Sequence, residues 1–376
     1  MRLQNDEVEV DIKRVARSDV KKIFSEARAA IASPGAFPRE HLDPSLCLFY
    51  CDALMMSLHP TNPSIAILGA GAIGSYYGGR LAQHGHNVHF LLRSDYPHVR
   101  AHGLRIKSIA GDFALTPEQL RVYNRARDVP KADLVIITLK STDNDALLDL
   151  VGPLLRDGTT LITLQNGLGN EEFLAAHFPA QPILGGIAFT CINRISPGVI
   201  HHSDHGHIHV GAFQGPSRGG AQGFDPKAIR DLFRESGIAT EVVDNLLTAR
   251  WSKLTWNIPF NGLGALLDLS TDRLLAAPEG ESLVRSLIAE VRAIASADGH
   301  PLSPDMADRQ IALTRSMGAY YSSTQLDRRN GRPMEIGSIF ARPLAIARSH
   351  KIRAPHLEFL TKSLEILANS AATKID

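Results

Sequence analysis

Cysteine is scarce in this sequence: Cys47, Cys51 and Cys191 among 376 residues show neither a disulfide framework nor a paired metal spacing, as expected in a reducing compartment. Net charge is also lacking. Forty Lys and Arg stand against 39 Asp and Glu, a formal charge of +1, which argues against a dominant nucleic-acid or acidic-membrane surface. No apolar run reaches membrane-spanning length, and the acidic start (Asp6, Glu7, Glu9, Asp11) is unlike a secretory or mitochondrial presequence. These absences point to a cytoplasmic protein with small-molecule partners, without nucleic acid or membrane. What is present is length enough for two ordinary domains and an appendage, with 44% apolar residues to fill their cores.

The most informative stretch is Ser64-Ile-Ala-Ile-Leu-Gly69-Ala70-Gly71-Ala72-Ile73-Gly74. A short apolar run enters a glycine triplet, and an amphipathic segment from Ser75 to Gly85 follows, which reads as strand, tight turn and helix. Glycine is needed at each position for a different reason, at Gly69 for the turn, at Gly71 for close approach of a pyrophosphate and at Gly74 for packing helix on strand. The helix N-terminus then offers free N–H groups to phosphates. The next strand, Asn87 to Arg93, ends where an NAD-binding chain usually carries a carboxylate for the ribose hydroxyls. Arg93 stands there instead, and a guanidinium pairs with a 2′-phosphate that a carboxylate would repel, so NADP is the expected cofactor. The plain alternative is a solvated arginine at a strand end.

Residues 1–62 precede this unit as an extension with helical spacing over Asp11 to Ile31, a turn at Ser33 to Pro38 and an apolar piece at Leu46 to Met56. A start at Met55 or Met56 is an alternative reading. Beyond Arg93, Leu104 to Ile109 with the polar stretch to Arg127 suggests a short hairpin or edge structure, and Ala132 to Lys140 and Thr159 to Gln165 read as buried parallel strands. Lys140 and Asn166 thereby fall at carboxyl ends of strands, where open α/β sheets bind ligands. A lysine that caps a strand and an Asn-Gly pair that serves a turn are the bland alternatives. His201, His202, His205, His207 and His209 alternate in a strand-like stretch, but Ser203, Asp204 and Gly206 look like a hairpin turn, and no metal is expected. Strand signals end with Ala239 to Val243 and helical spacing continues from Asn245, so the expected fold is an α/β Rossmann-type domain over 63–244 and an all-helical domain over 245–376.

The second domain opens with Trp251-Ser-Lys253-Leu-Thr-Trp-Asn257-Ile-Pro-Phe-Asn261. Lys253, Asn257 and Asn261 are four apart and form one polar stripe on an otherwise apolar helix. Asparagine is a mediocre helix former, so such a stripe makes more sense lining a cleft than facing water. Pro259 removes a helical hydrogen bond and should kink the helix.

Taken in order, Gly69-Ala-Gly71-Ala-Ile-Gly74, Thr138-Leu-Lys140, Gln165-Asn166-Gly167, Trp251-Ser-Lys253-Leu with Asn257 and Asn261, and Ser322-Ser323 separated by a basic loop from Met334-Glu335-Ile336 resemble the ketopantoate reductase (2-dehydropantoate 2-reductase) family over residues 63 to 368. The resemblance implies a substrate cleft between the two domains and NADPH-dependent reduction of 2-dehydropantoate, a 2-keto acid, to pantoate for pantothenate biosynthesis. It implies Lys253 as catalytic acid, with Asn166, Asn257, Asn261, Ser323 and Glu335 around the substrate, Glu335 keeping Lys253 charged and oriented or accepting a substrate hydroxyl. A homodimer is one assembly it accommodates. Thr271-Asp272, Gly337 and Phe340-Ala341 depart from the family pattern on the substrate side. Two other readings therefore stand beside it: a paralogous reductase of another 2-keto acid, and a non-catalytic NADP-sensing protein.

Overall fold

The computed structural model describes residues 62–213 and 223–372. The readings made for the N-terminal extension, and most of the Gly215 to Gly223 loop, lie outside the described residues. No helix among the described residues is long and apolar enough to cross a membrane.

The first half alternates strands and helices: β1 (Ser64–Leu68), α1 (Ala72–Gln83), β2 (Asn87–Leu91), α2 (Tyr96–His102), β3 (Leu104–Ser108), β4 (Phe113–Leu115), β5 (Arg121–Tyr123), β6 (Leu134–Ile137), α3 (Leu147–Val151), β7 (Thr160–Thr163), α4 (Asn170–His177), β8 (Ile183–Ser196), β9 (Val199–Ala212), α5 (Pro226–Glu235) and β10 (Thr240–Val242). The strands form one mixed sheet in the order β4-β3-β9-β8-β7-β6-β1-β2-β5, with β10 also on β9. Strand β1 lies inside the sheet, parallel to β2 and β6. Its residues alternate between two cores, Ile65 and Ile67 entering one and Ala66 and Leu68 the other. A strand covered on both faces must be apolar throughout, which is why the run before Gly69 carries no polar residue after Ser64.

Leu104 to Ser108 forms the first strand of a hairpin, β3 with β4 antiparallel, but β3 is interior because its other side pairs with β9. The histidine-rich segment corrects an expectation. Ser203 to Gly206 is not the hairpin turn; it lies within β9, and the β8–β9 turn falls at Pro197-Gly198, where Gly198 has φ +68°. Register shifts absorb the turn-like residues as bulges: Phe189 pairs with His207 but Thr190 pairs with His205, leaving Gly206 (φ +112°) as the extra residue.

From Leu246 onward the described elements are helical: α6 (Leu246–Trp256), α7 (Gly262–Leu267), α8 (Thr271–Ala276), α9 (Pro278–Ala297), α10 (Met306–Met317), α11 (Ser323–Arg329), α12 (Arg342–Ser349) and α13 (Pro355–Ala372). Asn245 starts α6 by accepting the Thr248 N–H at 2.9 Å. Helices α6 and α7 are joined by a wide π-type turn over Asn257–Asn261. Pro259, with no N–H to give, sits inside it, so the chain widens the turn where a kink is expected. Trp251, Leu254, Ile258, Phe260, Ile288 and Phe340 are buried in this half's core.

Candidate active site

The glycine turn is built as its spacing requires. Gly69 has φ +89°, and a Cβ there would lie 2.6 Å from the Leu139 nitrogen. A Cβ on Gly74 would lie 2.5 Å from Thr138 Oγ1 and 2.9 Å from Ile67 Cγ2, so only glycine lets α1 pack against β1. Around Gly71 the nearest atom to such a Cβ is 3.9 Å away, which leaves the face open for a phosphate. Thr138 pins the turn by donating to the Gly69 carbonyl at 2.7 Å. The first turn of α1 carries no acidic residue and no side-chain cap, so its N–H groups are free for an anion. Arg93 is exposed two residues past the end of β2. These residues fit a dinucleotide.

Across the carboxyl edge of the sheet stands Lys253 of α6. Its ammonium donates to Asn166 Oδ1 at 2.9 Å and to the Ala188 carbonyl at 2.6 Å, and lies 5.6 Å from the centre of the Phe189 ring. An ammonium has three donors, and these two acceptors leave one unspent. Burial, and then the nearby Arg250 guanidinium, bring Lys253 down to about 7, while Glu335 pulls the other way. The lysine is thus poised to exchange a proton near neutrality.

Asn166 follows β7, and the glycine after it serves two purposes. Gly167 has φ +86°, and a Cβ there would collide with the Ser338 backbone, so the turn and the approach of the helical half both demand it. Asn257 and Asn261 are 3% and 2% exposed, and the Asn261 Oδ1 is buried with no hydrogen-bond partner. A buried amide oxygen left unpaired is costly unless something else meets it. Both asparagines are thus turned away from solvent.

Glu335 acts on Lys253 through its charge, which favours the ammonium, and not through a direct contact. It makes no hydrogen bond to Lys253. It accepts from the Ser141 N–H at 2.9 Å and the Ser141 hydroxyl at 3.0 Å, bridging the loop after β6 to the helical half, and that hydroxyl also meets Ser338 Oγ at 2.7 Å. Burial pushes its carboxyl up, opposed by the Ser141 N–H and the Lys140 charge. Lys140 itself, in the same loop, is ion-paired with Asp327. Ser323 is exposed and makes no side-chain hydrogen bond; its neighbour Ser322 is the buried residue that caps α11, accepting from Gln325 at 3.4 Å.

Sequence reasoning missed the ion pair beneath this cluster. Arg250, three residues before Lys253, donates to Glu171 of α4 at 3.0 Å and to the Gln165 carbonyl at 2.6 Å, with the Arg250 and Glu171 side chains 2% and 1% exposed. It clamps the segment that presents Asn166. Its only local signal is a lone arginine among apolar neighbours.

A sheet with an open glycine turn, facing a helical half that holds a lysine over the sheet's carboxyl edge, defines a two-domain oxidoreductase of the dinucleotide-binding type. The family model described as ketopantoate reductase PanE/ApbA matches residues 65–215, and that of the ketopantoate reductase PanE/ApbA C terminal matches 245–368. The chain belongs to the ketopantoate reductase family. A 2-dehydropantoate 2-reductase of Nostoc sp. is 38% identical over 309 residues, 80% of this chain and 94% of that protein. One of Halobacterium salinarum is 30% identical, covering 79% and 96%. The crystal structure of a 2-dehydropantoate 2-reductase from Geobacter metallireducens superposes with a TM-score of 0.76 at 42% identity, covering 80% of this chain and 99% of that one.

Proposed function

We propose that the protein reduces 2-dehydropantoate to pantoate with NADPH in the cytoplasm, with Lys253 as proton donor, the 63–244 segment holding the cofactor and the 245–376 segment completing the substrate site. The observation that carries the reading is the Lys253 ammonium, fixed by Asn166 Oδ1 and the Ala188 carbonyl with one N–H unspent at the carboxyl edge of the sheet. The nicotinamide cofactor supplies hydride when bound. Gly69, Ala70, Gly71, Ala72, Ile73 and Gly74 would cradle its pyrophosphate, Arg93 would pair with its 2′-phosphate, and Lys140 and Asn166 would lie along it.

As the 2-keto carbonyl is reduced, charge grows on its oxygen. Lys253 neutralises that charge and hands over its proton, which a group near neutral pKa does with little penalty either way. Asn166 holds the ammonium in place. Asn257 and the unpaired Asn261 amide are suited to the substrate's carboxylate and hydroxyl, and the Ser323 hydroxyl, exposed at the start of α11, would be a further donor. Glu335 keeps the Ser141 loop against the helical half and biases Lys253 toward its charged form.

One observation favours the alternative of a different 2-keto acid. Thr271, one of the departures from the family pattern on the substrate side, has its hydroxyl already given to the Gly318 carbonyl at 2.7 Å. Loss of NADPH absorbance with 2-dehydropantoate and a panel of other 2-keto acids decides between them. Saturable oxidation with 2-dehydropantoate well above the rest supports the proposal. Oxidation only with other acids reassigns the substrate, and NADPH binding with no turnover overturns the enzymatic reading in favour of a sensor.

A further inference from the structure

The histidine run on β9 has no part in the mechanism above, yet it touches the catalytic lysine's surroundings. We infer that Phe189 is a specificity-determining residue: its ring, held in place by His207 and His209, packs on the branched apolar carbon next to the reacting carbonyl. The inference rests on the proposed reduction of a 2-keto acid.

Phe189 and His207 are cross-strand partners, and their rings stack at 4.8 Å with 11° between planes. His209, two residues further on the same face of β9, meets the Phe189 ring at 4.9 Å and 59°. The bulge at Gly206 creates this alignment. A register slip of one residue would turn the imidazoles to the other side of the sheet, so the glycine between His205 and His207 decides which face they share with Phe189. Burial holds both imidazoles toward their neutral forms, which suits rings stacked beside an ammonium. Glu241 is the one carboxylate paired with the stack among the described residues, 3.7 Å from His209.

Fixed in this way, the half-buried Phe189 ring lies 5.6 Å from Lys253 Nζ. A carbonyl oxygen accepting from that nitrogen sits about 2.9 Å from it, and the carbon attached to the carbonyl lies two bonds beyond that oxygen, within van der Waals reach of the ring for a substrate that lies on the Phe189 side of the ammonium. Lys253 is otherwise met by amide and carbonyl oxygens, and Phe189 supplies apolar surface. 2-Dehydropantoate carries two methyl groups on that carbon, whereas pyruvate carries none.

The test compares the wild type and Phe189→Ala on 2-dehydropantoate, 2-oxobutanoate and pyruvate, with NADPH titrated separately. A pocket that loses its contact with a methyl group loses roughly ten-fold in kcat/KM or more. The expected result is a fall of roughly that size for 2-dehydropantoate, little change for pyruvate and an unchanged KM for NADPH. His207→Ala should give part of the same loss of discrimination, and His207→Phe, which keeps a stacked ring, should restore it. An equal fall on all three acids, or a loss confined to NADPH, overturns the assignment and leaves the reductase reading intact. A wild type that turns over none of the acids overturns the reductase reading and this inference together.

Discussion

Raising the pH should switch the enzyme off by deprotonating Lys253. A lysine in water titrates near 10.4, and here burial and Arg250 bring it to about 7. The acid must be protonated to act, so kcat/KM for the keto acid should be level at the acid side and fall through neutrality. A group with a pKa of about 7 is about nine-tenths protonated at pH 6 and about one-hundredth at pH 9, so the rate constant should drop roughly 90-fold between those values. The assay is initial-rate NADPH oxidation at saturating cofactor across that range. Lys253→Arg supplies the control, because a guanidinium stays charged throughout. That variant should be slow, since arginine gives up its proton poorly, but its profile should lose the alkaline limb. A wild-type profile flat to pH 9, or an alkaline limb that persists unchanged in Lys253→Arg, would refute the reasoning.

Arg93→Glu should raise the KM for NADPH at least about ten-fold and leave NADH use little changed, read from the two cofactors' kcat/KM values; an unchanged preference removes the 2′-phosphate argument. Arg250→Met leaves the Glu171 carboxylate buried and unpaired, so it should destabilise the protein by roughly 3–5 kcal/mol, seen as a lower midpoint in a urea or thermal melt. Gly74→Ala places a methyl against Thr138, the Gly69 carbonyl and Ile67, and should cost about 1–3 kcal/mol and weaken NADPH binding measured by fluorescence titration.

Features that depend on neighbours in the chain were legible before the structure. The Gly69 to Gly74 turn and the apolar β1 are local patterns, and each appears where its spacing placed it. The Lys253-Asn257-Asn261 spacing is local too, but the α-helix ends at Trp256 and Asn257–Asn261 form a π-type turn that the spacing did not announce. Pairings between distant residues were not legible. Glu335 meets Ser141 across 194 positions, and Arg250 meets Glu171 across 79, and nothing near either residue names its partner. The His201 to His209 stretch misled for a related reason. Ser203, Asp204 and Gly206 carry turn chemistry, and a bulge inside a long strand uses the same residues as a hairpin turn; only the partner strand β8 distinguishes them.

Everything proposed for the reaction depends on Lys253 being the proton donor of a reductase and not merely part of a cofactor-binding fold. Turnover of 2-dehydropantoate by Lys253→Ala, measured alongside its affinity for NADPH, separates the two. A proton donor requires NADPH binding close to that of the wild type with turnover lower by at least about a hundred-fold. Turnover within a few-fold of the wild type, with binding intact, would remove Lys253 from the chemistry.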